Sequence, residues 1–228
     1  MKLRFDTRPG DVSLVDMVWQ TRSEQAGAFI SQAESRWEMV VSHYQGETTL
    51  AIRGPETQAT PAEYPADAEF FGIVFKLGSF IPDLPTSDRI NRNDLILPIT
   101  SRRTFWLNGN TWEIPTFDNV DVFINRLVRA DLLTRDPVVT SALQGHTPAL
   151  SPRALQYRFM RSTGLTQTTI QQIERARLAS FLLQQGRSIL DAVDEVGYYD
   201  QPHLTRSLKR FLGQTPMQIA SQPVSGVS

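Results

Sequence analysis

Apolar positions fall in short runs over roughly the first 115 residues, and in longer stripes of helical period beyond them. Trp37–Tyr44 and Thr48–Ile52 flank Gln45-Gly46, the pattern of two strands about a glycine turn. Phe70–Leu77 is the clearest strand, and Gly72 inside it marks a bulge or a close backbone approach. Thr104–Leu107 and Thr111–Ile114 bracket Asn108-Gly109-Asn110, a compact hairpin with the best short turn signal available. Asp11–Gln20 is apolar enough for a strand or a helix. Gly54-Pro55 and Pro61–Pro65 are turn chemistry, while Ile81–Pro85 and Ser87–Asn93 read as irregular. Short strands separated by turns predict a small barrel or sandwich.

From Phe117 the period changes. Val120, Phe123, Ile124, Leu127, Val128 and Leu132 make one face of a helix over about 118–134, with Thr116 or Asp118 as its cap. That stripe serves either the molecule's own sheet or a dimer. Asp136-Pro137 ends the helix and divides the chain into 1–135, a β-rich domain, and 136–222, an all-α one; the tail 223–228 is expected to be disordered. Val138–Leu143 predicts a short helix and Gly145–Pro148 a loop. A long middle helix follows over Gln167–Gln185, with Ile170, Ile173, Ala176, Leu178, Phe181 and Leu182 on its apolar side. It stops at Gly186. Ser188–Asp191 has the spacing of a capping box, and a further short helix runs to about Val196 before Gly197. The fold class expected is therefore α+β.

One repeat organises the second half. Ser151–Gly164 lies over Asp200–Gly213 without a gap, at a constant offset of 49: Leu155 falls on Leu204, Phe159 on Leu208, and Thr166 on Thr215. Each copy opens with a residue that accepts from free helix N–H groups and closes at a glycine suited to a left-handed cap. Pro152 sits in the first turn of the first copy, where a missing N–H costs least. Two matched helices with arginine-rich exposed faces suggest two helix-turn-helix units, whose second helix enters the DNA major groove.

Charge sharpens this picture. The net charge is −1, but residues 1–135 carry 14 basic and 18 acidic side chains, whereas 136–228 carry 9 and 6. The cationic half is the one with the repeat. Cysteine is absent, which excludes disulfides, zinc fingers and thiol chemistry. No signal-peptide core and no run of the ~20 apolar residues of a membrane span occur, so a cytoplasmic location with no membrane partner is expected.

At Gly164-Leu-Thr166, Ile173–Ala179, Ala192–Tyr198 and Leu204–Pro216 the chain resembles the AraC/XylS family of bacterial transcription regulators, over about 137–222. The resemblance implies a seven-helix domain in which a middle helix joins two helix-turn-helix units. Recognition helices at about 152–162 and 201–212 would enter successive major grooves, about 34 Å apart along the duplex. Family base-contacting positions carry over to Arg153, Gln156 and Tyr157 in the first unit, and to Gln201, Thr205 and Arg206 in the second. Tyr157 stands where the family very often has arginine, and Pro202 where a polar residue is frequent. Leu204, Leu208 and Phe211 form the buried stripe of the second helix. Arg158, Arg161, Lys209 and Arg210 suit phosphate. Arg175 and Arg177 read as structural, paired with Glu174, Asp191 or Asp194, and His203 as a spectator.

For the front half the resemblance implies an effector-sensing domain. Trp19, Trp37, Tyr44, Phe75, Trp106 and Trp112 are candidates to line its pocket, although aromatics on strands more often fill the core. His43 is the sole histidine there, so a metal cage is not expected; no phosphate loop, nucleophile elbow or Ser-His-Asp order occurs, and no enzyme activity or cofactor is expected. Expected partners are double-stranded DNA, a small-molecule effector, RNA polymerase and a second copy of the chain. The competing expectation makes the front half a protein-interaction module without effector, displayed on an exposed apolar face at Val120–Leu132.

Overall fold

The computed structural model describes residues 3–91, 94–146 and 148–221, so the tail expected to be disordered lies outside the described residues. In chain order the strands are β1 (Arg4–Pro9), β2 (Val15–Ser23), β3 (Gly27–Ser31), β4 (Glu38–Tyr44), β5 (Glu47–Arg53), β6 (Thr60–Tyr64), β7 (Ala68–Phe75), β8 (Ser79–Phe80), β9 (Leu95–Leu97), β10 (Ile99–Ser101), β11 (Thr104–Leu107), β12 (Asn110–Glu113) and β13 (Thr134–Arg135). The helices are α1 (Val120–Arg129), α2 (Pro137–Leu143), α3 (Pro152–Thr163), α4 (Gln167–Gln184), α5 (Ile189–Val196), α6 (Gln201–Leu212) and α7 (Pro216–Ala220), with a short 3-10 turn at Thr86–Arg89. The fold class is α+β, strands first and helices after.

Contacts divide the chain into two compact units that interleave along it. The first comprises 1–28, 36–55 and 63–166; the second comprises 29–35, 56–62 and 167–228.

In the first unit a six-stranded antiparallel sheet runs in the order β1-β2-β7-β4-β5-β9, and β10-β11-β12 form a smaller sheet. Asp11–Gln20, open between strand and helix on pattern, contributes the first part of β2. Both hairpins expected from their turns are present. Gln45 and Gly46 have φ of 52° and 80°, Asn108 and Gly109 of 46° and 79°. Two consecutive positive φ values are what a two-residue loop needs to match the twist of its strands.

Gly72 is there for a close approach: its neighbours stay in register with β2 and β4, and a Cβ would run into the Trp19 ring. The core is filled from three sides. Met39, Leu50, Ile73 and Phe75 come from the large sheet, Phe105 and Leu107 from the small one, and Val120, Ile124 and Leu127 from α1. The α1 stripe therefore belongs to its own core, not to an exposed docking face; Val122 and Val128 are its exposed apolar side chains.

Helix α1 is shorter than the pattern suggested. It ends at Arg129, and Thr134–Arg135 then pairs with Ser79–Phe80. Asp136-Pro137 does not end it; it begins α2, where the Asp136 carboxylate accepts from the Val138 and Val139 amides at 2.9 and 3.2 Å. That is an N-cap followed by proline in the first turn, the arrangement that leaves fewest free donors.

The second unit is built on α4, with α5, α6 and α7 packed against it. Its inner face is Ile170, Ile173, Ala176, Ala179 and Leu183. Leu178 and Phe181, expected inside, are 50% and 55% exposed, and Leu182 is half-buried. Two segments from the front half complete this unit. Ala33 N donates to Phe211 O and Ala59 N to Arg210 O, both at 2.7 Å, while Gly213 N donates to Lys209 O at 3.1 Å. Three of the four carbonyls that any helix leaves unpaired at its C-terminus are thereby satisfied on α6.

Candidate nucleic-acid interface

Helices α3 and α6 are the two members of the 49-residue repeat, and their ends are built alike. Ser151 Oγ accepts from Ala154 N at 3.2 Å and Asp200 Oδ1 from His203 N at 2.7 Å. At the other end Gly164 and Gly213 lie in the left-handed region at φ 73° and 72°, each donating to a carbonyl four residues back. A side chain other than glycine would strain that conformation. The lead-ins differ: eight residues separate α2 from α3, and four separate α5 from α6. Beyond residue 135 the described residues form six helices, one fewer than the resemblance implies.

On α6, Leu204, Leu208, Phe211 and Leu212 are buried, so the apolar stripe has the face expected of it. Gln201 and Arg206 are exposed and Thr205 is half-buried, leaving the first two turns free to meet a ligand. Lys209 and Arg210 are exposed further along. On α3, Phe159 is fully buried while Arg153, Gln156 and Tyr157 face outward, Tyr157 at 66% exposure. The four side chains assigned to phosphate are unequal. The Arg158 guanidinium donates to Asp136, the cap of α2, at 3.0 Å, so it ties α3 to α2. Arg161 lies over the Phe80 ring at 5.5 Å and Arg210 over Phe211 at 5.0 Å.

The middle-helix arginines have partners other than those expected. Arg177 donates to Glu34 at 2.7 Å, and Arg175 lies 5.7 Å over the Tyr198 ring. Glu174, offered as a partner for them, instead accepts from Ser35 at 2.7 Å. His203 stands edge-on to Tyr198 with centroids 5.1 Å apart. Burial raises the Tyr198 hydroxyl above the ordinary 10.0, partly offset by its bond to Ser207 and the nearby Arg175 charge. Thr168, Gln171, Gln172, Arg175, Tyr198, His203, Arg206, Ser207, Arg210 and Phe211 line a 260 Å³ cleft between α4 and α6. The repeat does not point to it, because α4 has no counterpart in the repeated segment.

The six aromatics proposed for a pocket are not gathered in one. Trp37 stacks on Phe75 at 3.8 Å and donates to Ser79 O, inside the core. Trp112 is buried and donates to Leu107 O. Trp19 covers Gly72 and donates to Glu38 at 3.1 Å. Trp106 and Tyr44 are 45% and 40% exposed. A 560 Å³ cleft opens elsewhere, lined by Arg4, Asp6, Gln20, Arg22, Val41, His43, Glu69, Phe71 and Phe117 among others. Cross-strand register builds most of it: Arg4, Arg22, Glu69 and His43 stand in one row across β1, β2, β7 and β4, and Asp6, Gln20, Phe71 and Val41 in the next. Among the described residues no helix is long and apolar enough to cross a membrane.

This pair of capped, matched helices defines a helix-turn-helix protein, and residues 148–222 match the family model of a helix-turn-helix domain, a third of the chain. The segment is a helix-turn-helix domain of the AraC type. No curated protein matches the chain. ToxT from Vibrio cholerae is a similar solved structure, 11% identical, covering 95% of this chain and 97% of that one, with a TM-score of 0.39.

Proposed function

We propose that the chain is a DNA-binding transcription regulator that reads DNA sequence with α6 and α3, and that a small molecule held by the front half adjusts that reading. The observation that carries the first part is the shared construction of the two helices: a side-chain cap at the same position, the same glycine stop and polar first turns exposed, with a full apolar stripe buried on α6 and Phe159 buried on α3. Glutamine pairs with adenine and arginine with guanine through two hydrogen bonds each, so Gln201 and Arg206 on α6 and Gln156 and Arg153 on α3 are the proposed base readers. Lys209, Arg210 and Arg161 then serve the backbone; Arg158, held by Asp136, serves it least.

For the effector, the 560 Å³ cleft over the sheet supports the reading better than the six aromatics do. Its apolar floor at Val41 and Phe71 with polar walls suits a small amphipathic ligand. The reading of the front half as a docking module through Val120–Leu132 loses its basis, because Val120, Ile124 and Leu127 are wholly buried.

The test is selection of binding sites from random duplex DNA at near-physiological salt, with wild type beside Arg206→Ala and Arg153→Ala. Two enriched blocks about one helical turn apart, one degraded by each substitution, is the expected result. Binding that enriches no sequence and only fades with salt would refute sequence reading. A metabolite screen by thermal shift, with Phe71→Ala as the control that abolishes the shift, tests the effector cleft.

A further inference from the structure

The α4–α6 cleft is lined by three arginines and a histidine, and by no carboxylate at all. That is unusual in a chain with slightly more acidic than basic side chains. Arg175 and Arg210 lie against aromatic faces, Tyr198 and Phe211, which orient a guanidinium without neutralising it. Arg206 and Arg210 are one turn apart on α6, and Arg175 stands on α4, so all three line one concavity. A recess lined by a single sign of charge focuses potential and concentrates counter-ions. The remaining lining supplies neutral hydrogen-bond donors: Thr168, Gln171 and Gln172. At 260 Å³ the space falls below the ~300 Å³ at which sites for drug-sized ligands begin.

We propose that this cleft is a binding site for a phosphate-type oxyanion, with Arg175 and Arg210 as its cationic ligands, the α4 glutamines as donors, and Arg206 at its lip left free to read a base. Two sources share that chemistry: a DNA backbone phosphate and a free phosphorylated small molecule. Helical placement favours the first. Gln201 and Thr205 sit on one flank of α6 and His203 and Arg210 on the other, with Arg206 between them at the lip of the cleft. A phosphate at the edge of the groove entered by α6 would meet that lip. This part rests on the reading of α6 as a recognition helix; the existence of the oxyanion site does not.

The experiment uses the full chain as wild type, Arg175→Gln, Arg175→Lys and Gln171→Glu, the last placing a negative charge in the cleft without touching Tyr198. Duplex affinity is measured by anisotropy between about 50 and 200 mM salt, where each neutralised phosphate contributes about 0.9 to the log–log slope. In parallel, inorganic phosphate and pyrophosphate are titrated without DNA while the His203 ring resonances are followed by NMR. If the source is the backbone, Arg175→Gln lowers the slope by about 0.9 with sequence preference unchanged, Arg175→Lys restores it, and Gln171→Glu lowers it as well. If the source is free, the slope is unaltered, and a saturable His203 shift in wild type vanishes in Arg175→Gln and Gln171→Glu. A full slope in both variants together with a flat phosphate titration overturns the site. Failure of wild type to prefer any sequence would refute base reading by α6, and the phosphate titration would still decide the cleft.

Discussion

The ion pair between Arg177 on α4 and Glu34, in the β3–β4 connection, joins side chains 143 residues apart at 2.7 Å, with 31% and 27% of their surfaces exposed. Ser35 bonds Glu174 beside it at 2.7 Å. Fully exposed pairs contribute about 0.2–1 kcal/mol, and hydrogen bonds to charged groups about 1.5–3. With two-thirds of each side chain covered and one good bond, a coupling of roughly 1–2 kcal/mol is expected, a factor of about 5–30 in the docking equilibrium of the segment.

The perturbation is a cycle of Glu34→Gln, Arg177→Gln and the double variant. Helical circular dichroism in urea gives global stability. Amide exchange of the peptide spanning 29–35 gives the local one, because Ala33 N is tied to Phe211 O and is released only when the segment lifts. Each single variant should speed that exchange about 5- to 30-fold, and the double variant little more than either. Additivity within about 0.3 kcal/mol would refute the argument, for it would mean that the two charges do not feel each other.

Four further outcomes follow from the same geometry. Gly164→Ala places a Cβ 2.9 Å from the Thr86 carbonyl carbon at φ 73°, whereas Gly186→Ala, at φ 83°, meets nothing within 4 Å. Thermal denaturation should show a loss of roughly 1 kcal/mol for Gly186→Ala, from backbone strain alone, and clearly more for Gly164→Ala. Leu204→Ala removes a fully buried side chain of α6 and should cost about 2–5 kcal/mol in urea unfolding, abolishing DNA binding only through that loss. Asp200→Ala deletes the α6 cap at 2.7 Å and should cost about 1 kcal/mol, with Asp200→Asn close to wild type in the same assay. Tyr198 has its hydroxyl pKa raised by burial, so the unfolded chain ionises first: its contribution is full below pH 10.0 and lost as pH rises through the folded value. Stability followed from pH 9 to about 12 should therefore fall less steeply in Tyr198→Phe than in wild type.

Local signals survived the passage from sequence to structure best. Ser151, Ser188 and Asp200 cap the helices they were assigned to, because a cap is decided within three residues. The α6 stripe was legible because polar residues occupy every other face of that helix. The α4 stripe was less so: apolar residues stand at 170, 173, 176, 178, 179, 181, 182 and 183, so period alone could not choose between Leu178 and Ala179. Sequence proximity pairs Arg177 with acidic residues of its own half, whereas the fold pairs it with Glu34. The cleft over the sheet was invisible for a related reason. Arg4, Arg22, Glu69 and His43 line up only once the order β1-β2-β7-β4 is known, and strand order is a long-range property.

The interleaving of the two units bears on synthesis. A ribosome releases 29–35 and 56–62 long before Phe211 and Arg210, the carbonyls that Ala33 and Ala59 bond, have been made. The first unit, in turn, needs the chain as far as residue 166. Vectorial folding domain by domain, the common course for larger chains, is thus closed to this protein in its simple form. Two front-half segments stay without these backbone partners until the last sixth of the chain emerges. A gene fragment beginning at residue 136 would express α6 without either segment that closes its C-terminal carbonyls, and one ending at 135 would lack α2 and α3 from the first unit.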